Sequence, residues 1–381
     1  MAPPNTTPSG MFHLANRQSW TDTPRSVAVN GPGRASHIAG RKPSSSPVTP
    51  ECSSGCLGTT LSCTCSKAMY NFIGDQARDV AVVGAGPAGL AAAVYLARFL
   101  RSVIIFDTGD GRAKLIPKTY NCPGFPDGIS GEDLLVRLRE QVKAYATDIV
   151  QDKVERLERT EEAFTLTTAG GVMRASYVVL ATGVVDKAPT IVGLREAIAA
   201  RTVRLCPVCD AYEAAGHRIA VAGPERLALK EALFLRHYSP FVCILSNYPA
   251  DISETARLEA GAADIEIWDV VDDLVPRGSG LDVVMADGSP SRQIDVLYAS
   301  MGCDVRSELA AGAGAHCDED GYILVGPHSE TSVQGLYAIG DVAKALNQIA
   351  VGFGHAALAA THIHNALSAR RDRATLRAEA G

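Results

Sequence analysis

The chain has 381 residues, of which 46% are apolar and 20% charged, with a formal net charge of −6. This length allows two hydrophobic cores, whereas the mild acidity and the lack of a basic stripe exclude a nucleic-acid-binding protein. Ten cysteines in so long a chain do not make a disulfide scaffold, so their placement matters more than their number.

The first segment, residues 1–75, is predicted to be a disordered N-terminal extension or one created by a start codon assigned too early. Residues 1–68 are rich in Pro, Ser, Thr and Gly and show no apolar period, so they cannot bury enough surface to offset chain entropy. Met69 is the alternative start. The high Ser and Arg content also resembles an organellar transit peptide. A metal site at the cysteines of this segment is not supported, because no CxxC and no histidine lies beside them: Cys52, Cys56, Cys63 and Cys65.

The segment "DVAVVGAGPAGLAAAVYLARFLRSVIIFD" predicts a strand, a tight turn, a helix and a second strand. Its GxGxxG lies between strand and helix, and an acid follows 18 residues after the third glycine, which together indicate a dinucleotide-binding unit. Gly84 permits the turn, Gly86 lets the backbone reach a pyrophosphate, and Gly89 lets the helix lie close to the strand. Asp107 is expected to accept hydrogen bonds from ribose hydroxyls.

Residues 80–97 carry no charge and are long enough to resemble a membrane span. Three glycines and Pro87 inside this stretch favour the strand, turn and helix instead. No other segment is long and apolar enough to cross a bilayer. We therefore predict a soluble, cytoplasmic protein with no membrane contact.

The chain repeats this architecture. Residues 150–180 alternate like an antiparallel meander and end in an Ala-Thr-Gly turn, and residues 265–302 alternate again. We therefore predict an α/β fold with two Rossmann-like domains of three-layer ββα type, the second inserted in the first. The predicted bounds are a discontinuous FAD-binding domain at 76–188 and 306–370, a degenerate NAD(P)-type domain at 189–305, and a tail at 371–381.

The second strand–turn–helix unit, "RIAVAGPERLALKEALFL" at residues 218–235, has lost part of its phosphate chemistry. Glu225 stands where the second glycine is expected, and two unit charges at ~4 Å repel by roughly 1–4 kcal/mol. Arg226 could fold over this carboxylate and neutralise it. The next strand ends in Ser246, Asn247 and Tyr248, which supply neither a cation for a 2′-phosphate nor a carboxylate for ribose. The pattern predicts a frame kept for packing and a nucleotide pocket that is lost.

The sequence "CPVCD" holds two sulfurs within bonding reach across one turn, Cys206 and Cys209, beside the carboxyl group of Asp210. A CxxC lowers one thiol pKa, so a thiolate is available near neutral pH for disulfide exchange. The alternative is half of a zinc site, which needs two more ligands that no suitably placed pair supplies. We favour redox chemistry and predict no metal.

These motifs, with "GLYAIGDVA" at 335–343 and the closing glycine- and alanine-rich helix, resemble low-molecular-weight thioredoxin reductases from about residue 76 to 368. The resemblance implies a homodimeric, two-domain flavoprotein that binds FAD and carries its redox disulfide in the inserted domain. It also implies that Asn121 lies beside the isoalloxazine and that the last helix starts near Gly354 and His355 and faces the flavin pyrimidine. The other implied FAD-binding residues are Gly84, Gly86, Gly89, Asp107, Thr182, Gly183, Gly340 and Asp341.

The resemblance further assigns roles to the catalytic residues. Cys209 is expected to face flavin C4a and form the charge-transfer thiolate, and Cys206 to attack the partner disulfide. Asp210 is expected to shuttle the proton, and His355 to support proton transfer to flavin or substrate.

We predict an FAD-dependent thiol–disulfide oxidoreductase that passes electrons between FAD and the CPVC disulfide without NADPH. It resembles ferredoxin- or flavin-linked thioredoxin reductases, or dithiol oxidases of the gliotoxin type. The expected partners are a small dithiol or disulfide, a thioredoxin-like protein, ferredoxin or another flavin donor. Two alternatives remain: an NADPH-dependent thioredoxin reductase with a degenerate loop, and a non-catalytic flavin-binding redox sensor.

Overall fold

Short strands and helices alternate along residues 77–246, 251–269 and 271–379, which are the residues that the computed structural model describes. The predictions for residues 1–75, and those for Asn247 and Tyr248, lie outside them. The helices are α1 (Pro87–Arg98), α2 (Gly131–Lys143), α3 (Leu194–Ala199), α4 (Pro207–Asp210), α5 (Glu225–Leu235), α6 (Glu254–Ala262), α7 (Glu308–Gly312) and α8 (Ile349–Glu379). Short 3₁₀ turns lie at Arg112–Leu115, Tyr212–Ala214 and Gly340–Val342.

The strands fall into four sheets within the described residues. Their bounds are β1 (Arg78–Val83), β2 (Val103–Phe106), β3 (Asp148–Val150), β4 (Val154–Arg159), β5 (Phe164–Thr168), β6 (Gly171–Leu180), β7 (Val184–Asp186), β8 (Val203–Arg204), β9 (Ile219–Ala222), β10 (Val242–Leu245), β11 (Glu266–Trp268), β12 (Val271–Arg277), β13 (Gly280–Met285), β14 (Arg292–Ile294), β15 (Val296–Ala299), β16 (Cys303–Val305) and β17 (Leu336–Ala338).

The first sheet has the order β3-β2-β1-β6-β5-β4, and β17 pairs with β6. Strands β3, β2, β1, β6 and β17 are parallel, whereas β4, β5 and β6 form the predicted antiparallel meander. The central strand β1 is buried on both faces because apolar residues fill every position of its C-terminal half. Val80 and Val82 contact the core under α1 and α8, and Ala81 and Val83 contact the core under the meander.

The second sheet is parallel, with the order β11-β10-β9-β15-β8, and a three-stranded antiparallel sheet, β12-β13-β14, accompanies it. We predicted an alternating meander from residue 265 to residue 302. Its first strand, Glu266–Trp268, instead belongs to the parallel sheet. The fold is therefore α/β with two Rossmann-like units, as predicted. The bounds of the two domains stay a prediction.

Strands β7 and β16 pair antiparallel where the chain leaves the first sheet and returns to it. Next to this pair, the Arg306 N–H donates to the Gly183 carbonyl oxygen at 3.1 Å. The last helix, α8, continues through Glu379, so most of the segment separated as a tail is helical. Among the described helices, none combines the length and apolar character that a membrane span requires.

Candidate functional site

The turn between β1 and α1 depends on two glycines for its packing. Gly84 has φ +107°, and a Cβ added there would lie 2.3 Å from the Ala181 carbonyl oxygen. A Cβ on Gly89 would lie 1.9 Å from the Gly84 carbonyl oxygen. These contacts give the close approach of helix to strand that the fingerprint predicts.

The middle glycine of this turn, Gly86, has a different role, since a Cβ added there meets no atom within 4 Å. It precedes α1, whose N-terminus has no side-chain cap, so first-turn N–H groups remain for an anion. Asp107 lies beside the turn and accepts a hydrogen bond from the Ala85 N–H at 3.0 Å. Open space, free donors and a neighbouring carboxylate fit the diphosphate and ribose of a dinucleotide.

A cavity of about 730 Å³ extends from this turn to the CPVC motif, a size typical of cofactor sites. It brings together most of the site residues predicted from the sequence: Gly84, Gly86, Asp107, Asn121, Thr182, Gly183, Cys206, Cys209, Asp210, Gly340 and Asp341. Three predicted residues do not line it. Gly89 is buried beneath the turn, and Gly354 and His355 lie further along α8.

The start of the last helix differs from the prediction. Helix α8 begins at Ile349, so Gln348 and Ile349 line the cavity in place of Gly354 and His355. Gly352 and Gly354 lie inside this helix, and a Cβ on Gly352 would come within 3.2 Å of Ala88 Cβ. Small residues here allow α8 to approach α1 closely.

His355 is not among the residues that line the cavity. Its Nδ1 atom is buried without a hydrogen-bond partner among the described residues, and burial lowers the pKa of the ring. Its predicted role in proton transfer stays a prediction.

Arg112 also lines the cavity, although no sequence motif indicated it. Its guanidinium binds Asp186 of β7 through two hydrogen bonds, at 2.7 and 2.8 Å, and Asp341 through a third, at 3.0 Å. It therefore connects a predicted FAD-binding residue to the strand pair between the two sheets. No local pattern could have shown this, because the partners are 74 and 229 residues away.

A disulfide joins Cys206 and Cys209 at the start of the short helix α4, where Cys206 is the N-cap. Both sulfurs face a residue that the sequence analysis missed: Gln348 Nε2 lies 3.5 Å from Cys206 Sγ and 3.4 Å from Cys209 Sγ. Gln348 immediately precedes α8, so the predicted helix start near Gly354 hid its position.

Behind the dithiol, Asp210 belongs to a buried polar cluster. Its carboxylate accepts a hydrogen bond from the Tyr298 hydroxyl at 2.9 Å, and its backbone carbonyl accepts one from Arg204 at 2.6 Å. Burial raises the pKa of Asp210, and Arg204 and Tyr298 oppose this rise. The carboxyl group therefore holds a proton to higher pH than a free aspartate, which suits a group that exchanges protons with a thiol.

The second strand–turn–helix unit keeps its first glycine for packing, since a Cβ on Gly223 would lie 2.1 Å from the Ser300 carbonyl oxygen. Its acidic residue is engaged with the next helix. The Ser253 N–H donates to the Glu225 carboxylate, and these hydrogen bonds to Ser253 lower the pKa of Glu225. Glu225 is therefore a fixed anion at the first position of α5.

An ion pair lies beside Ser246, the residue that follows β10. Ser246 is buried, and its hydroxyl accepts a long hydrogen bond, 3.4 Å, from Arg257. The same guanidinium forms an ion pair with Asp269, with one N–O distance of 2.9 Å. Arg257, the cation beside Ser246, is thus already paired with Asp269 within the chain.

Together, the glycine turn, the cavity and the dithiol define a flavin-dependent disulfide oxidoreductase. The sequence matches the family model of pyridine nucleotide-disulphide oxidoreductases over residues 78–366, and the chain belongs to this family. The thioredoxin reductase of Streptomyces coelicolor is 31% identical over 280 residues, which cover 70% of this chain and 86% of that protein. NADPH-dependent thioredoxin reductase 3 of Arabidopsis thaliana is 28% identical over 288 residues, covering 71% and 54%.

Two solved structures share the fold. HlmI superposes with a TM-score of 0.74 at 27% identity, covering 80% of this chain and 97% of HlmI. Thioredoxin reductase from Streptococcus pyogenes gives a TM-score of 0.70 at 24% identity, covering 77% and 98%. These relationships confirm the resemblance to thioredoxin reductases and FAD as the cofactor.

Proposed function

We propose that this protein exchanges electrons between FAD and the Cys206–Cys209 disulfide, and between this dithiol and a thioredoxin-like protein or a small dithiol, without using NADPH. When bound, FAD supplies the electron pair or accepts it. In this proposal Gly86 and the N–H groups of α1 bind the diphosphate, Asp107 binds the ribose, and Arg112 holds Asp341 in place at the far side of the cavity.

Glu225 is the observation that carries the NADPH-independent part of the proposal. It occupies the position where Gly86 stands in the first unit, and its carboxylate is held in the anionic form by Ser253. A pyrophosphate at this turn would meet both the side chain and its charge. Two unit charges at ~4 Å repel by roughly 1–4 kcal/mol at effective dielectric constants of ~80 to ~20, which is about ten- to several-hundredfold in affinity.

The rest of the second cleft supports the same conclusion. The position of Asp107 in the first unit is taken by the hydroxyl of Ser246, which cannot replace a carboxylate as an acceptor for two ribose hydroxyls. Arg257 is the cation nearest to this position by its hydrogen bond, and Asp269 already neutralises it. Binding a 2′-phosphate to Arg257 would require breaking that ion pair.

The chain's own residues account for disulfide exchange. In the reduced protein, the thiolate of one cysteine attacks a partner disulfide and releases one partner thiolate. The second cysteine then attacks the mixed disulfide, releases the second partner thiolate and restores Cys206–Cys209. Asp210 provides a proton acceptor and donor behind the motif, because burial raises its pKa. We assign the attack on the partner to Cys206 and the flavin-facing position to Cys209.

The proposal is tested by titrating the FAD-loaded protein with NADP⁺ and NADPH in a calorimeter. We expect no binding at millimolar concentration for the native chain. Saturable binding of either nucleotide would contradict the proposal and favour an NADPH-dependent thioredoxin reductase with an altered turn. Slow disulfide exchange with every dithiol offered, with a disulfide that still forms reversibly, would instead favour a redox sensor.

A further inference from the structure

The side-chain amide of Gln348 contacts both reactive sulfurs. Its Nε2 lies 3.5 Å from Cys206 Sγ and 3.4 Å from Cys209 Sγ. A disulfide sulfur is a weak hydrogen-bond acceptor, whereas a thiolate is a charged one, so this contact is worth more after reduction than before it. The amide is therefore suited to stabilising the reduced form of the motif.

The neighbours of Gln348 fix the direction of this amide. The Val208 carbonyl oxygen can only accept, so the Asn121 atom that faces it at 3.4 Å is Nδ2. Consistent with this, the Thr119 hydroxyl donates to Asn121 Oδ1 at 2.8 Å. Asn121 Nδ2 also faces Gln348 Oε1 at 2.9 Å. Because Oε1 accepts from Asn121, the N–H groups of Gln348 point at the sulfurs.

We propose that Gln348 is a further catalytic residue of the disulfide exchange, whose Nε2–H groups stabilise the thiolate, and that Asn121 is the positioning residue that holds the amide in this orientation. Two electrons and one proton convert the Cys206–Cys209 disulfide into one thiolate and one thiol. The electrons come from reduced FAD or from a partner dithiol, which becomes a disulfide. The inference rests on the proposed exchange through the two cysteines and not on the absence of NADPH use.

The distances place the amide equally near both sulfurs, and a primary amide has two N–H groups. Gln348 therefore stabilises whichever cysteine carries the charge. Loss of its donors should raise the pKa of the more acidic thiol and lower the fraction of thiolate at a given pH.

The test uses the FAD-loaded protein reduced anaerobically with dithiothreitol and then freed of it. The rate at which iodoacetamide alkylates each of Cys206 and Cys209 is followed against pH by mass spectrometry, which gives both thiol pKa values. Gln348→Met keeps the length of the side chain and removes the donors. We expect it to raise the lower thiol pKa by about one unit, a tenfold loss of thiolate at a given pH.

Gln348→Glu should raise this pKa further, because a carboxylate repels the thiolate. Asn347→Asp is the matched control: it places the same charge one residue earlier, where the side chain bonds the Tyr322 hydroxyl at 3.4 Å and not the sulfurs. It should produce a smaller shift than Gln348→Glu.

Asn121→Asp tests the positioning role. With oxygens in place of Nδ2, the Gln348 amide should turn its N–H groups toward the new carboxylate and away from the sulfurs, which also raises the thiol pKa. Combined with Gln348→Met, this effect should shrink, because the amide that relays it is gone. Undiminished effects in the double variant would overturn the positioning role of Asn121.

FAD content and the unfolding midpoint of each variant show whether it folds. A wild-type thiol pKa in folded Gln348→Met and Gln348→Glu proteins would overturn the inference. Rapid reduction of the flavin by NADPH, together with the expected pKa shifts, would instead overturn the proposed function and leave the role of Gln348 intact.

Discussion

At the scale of single residues, Asp210 shows how burial sets chemistry. Its pKa is raised above the ordinary value of 3.8 by burial, although Arg204 and Tyr298 act against the rise. The folded protein thus binds this proton more tightly than the unfolded chain does. The resulting contribution to stability is fully present below the unfolded pKa and is lost as the pH rises through the folded pKa.

Asp210→Asn should remove this pH dependence while keeping a hydrogen-bond acceptor for Tyr298. Between pH ~4 and neutrality, the free energy of unfolding should fall less steeply with rising pH in the variant than in the native protein. Urea denaturation at a series of pH values measures this difference. Asp287→Asn is the control, because hydrogen bonds to Ser289 lower the pKa of Asp287 and its contribution to the pH dependence therefore lies below pH ~4, so this variant should keep the native slope in the window. Identical slopes for the native protein and Asp210→Asn would contradict the account.

Local motifs made some site residues predictable and left others hidden. The CxxC spacing predicted Cys206 and Cys209, and the distance from the glycine turn along the sequence predicted Asp107. Gln348 contacts sulfurs 139 and 142 residues away, and the side chain that fixes its amide, Asn121, is 227 residues away. The roles of these residues depend on contacts between distant parts of the chain, and a local sequence pattern carries no information about such contacts.

At the scale of secondary-structure elements, the two strand–turn–helix units share one packing rule. In each, a glycine after the strand lies against the carbonyl oxygen of a neighbouring strand end: Gly84 against Ala181 and Gly223 against Ser300. The third position is small in both, Gly89 and Ala228, and both residues are buried. Only the middle position differs in chemistry. The glycine of each unit is therefore needed for packing, whether or not a phosphate binds at the turn.

In the first strand–turn–helix unit, one glycine serves packing and another is expected to serve cofactor binding. Gly89→Ala should destabilise the FAD-free protein by about 1–3 kcal/mol, because its Cβ would overlap the Gly84 carbonyl. Gly86→Ala should leave that stability nearly unchanged and weaken FAD binding, because its Cβ enters only open space. Thermal unfolding of the FAD-free protein and fluorescence titration with FAD measure the two effects. Equal losses of stability in both variants would refute the separation.

The same packing argument applies to Gly223 in the second strand–turn–helix unit. Gly223→Ala should cost about 1–3 kcal/mol of stability in the absence of any nucleotide, because the added Cβ would overlap the Ser300 carbonyl. Gly261→Ala is the control, since an added Cβ in α6 meets no atom within 4 Å and alanine favours a helix. Denaturant unfolding of the two variants should move in opposite directions. A neutral Gly223→Ala would show that packing does not explain why the glycine is kept.

The sequence predicted the central elements because glycine turns and alternating strands leave strong local signals. The predicted start of α8, near Gly354 and His355, was wrong, since the helix begins at Ile349. The resemblance implied that start, whereas in the structure Gly352 already lies inside the helix and lets it approach Ala88 of α1. This contact joins residues more than 250 positions apart in the chain, so no local pattern could show it.

At the scale of the whole molecule, the paired strands β7 and β16 connect the two sheets, and Arg112 connects these strands to the cofactor cavity. Its partners Asp186 and Asp341 are largely buried, with side-chain exposures of 11% and 25%. If the guanidinium is removed, both carboxylates lose their positive partner while little water reaches them, which destabilises the fold. We call the β7–β16 pair the linker, and we expect the loss of Arg112 to disturb both this linker and FAD binding.

Arg112→Met should lower the free energy of unfolding by about 1–3 kcal/mol and weaken FAD binding. Lys187→Met is the control in the same linker, because its ion pair with Asp304 is exposed and should contribute less than about 1 kcal/mol. Urea denaturation and FAD titration compare the two variants. Equal effects would mean that Arg112 has no special role between the cavity and the linker.

The central claim is that FAD exchanges electrons with the Cys206–Cys209 dithiol and not with a nicotinamide nucleotide bound beside Glu225. It is tested most directly by mixing the oxidised, FAD-loaded protein with dithiothreitol or with NADPH in the absence of oxygen and following flavin absorbance. We expect the dithiol to bleach the flavin and NADPH to leave it oxidised. Rapid bleaching by NADPH, or a flavin that no dithiol reduces, would contradict the account.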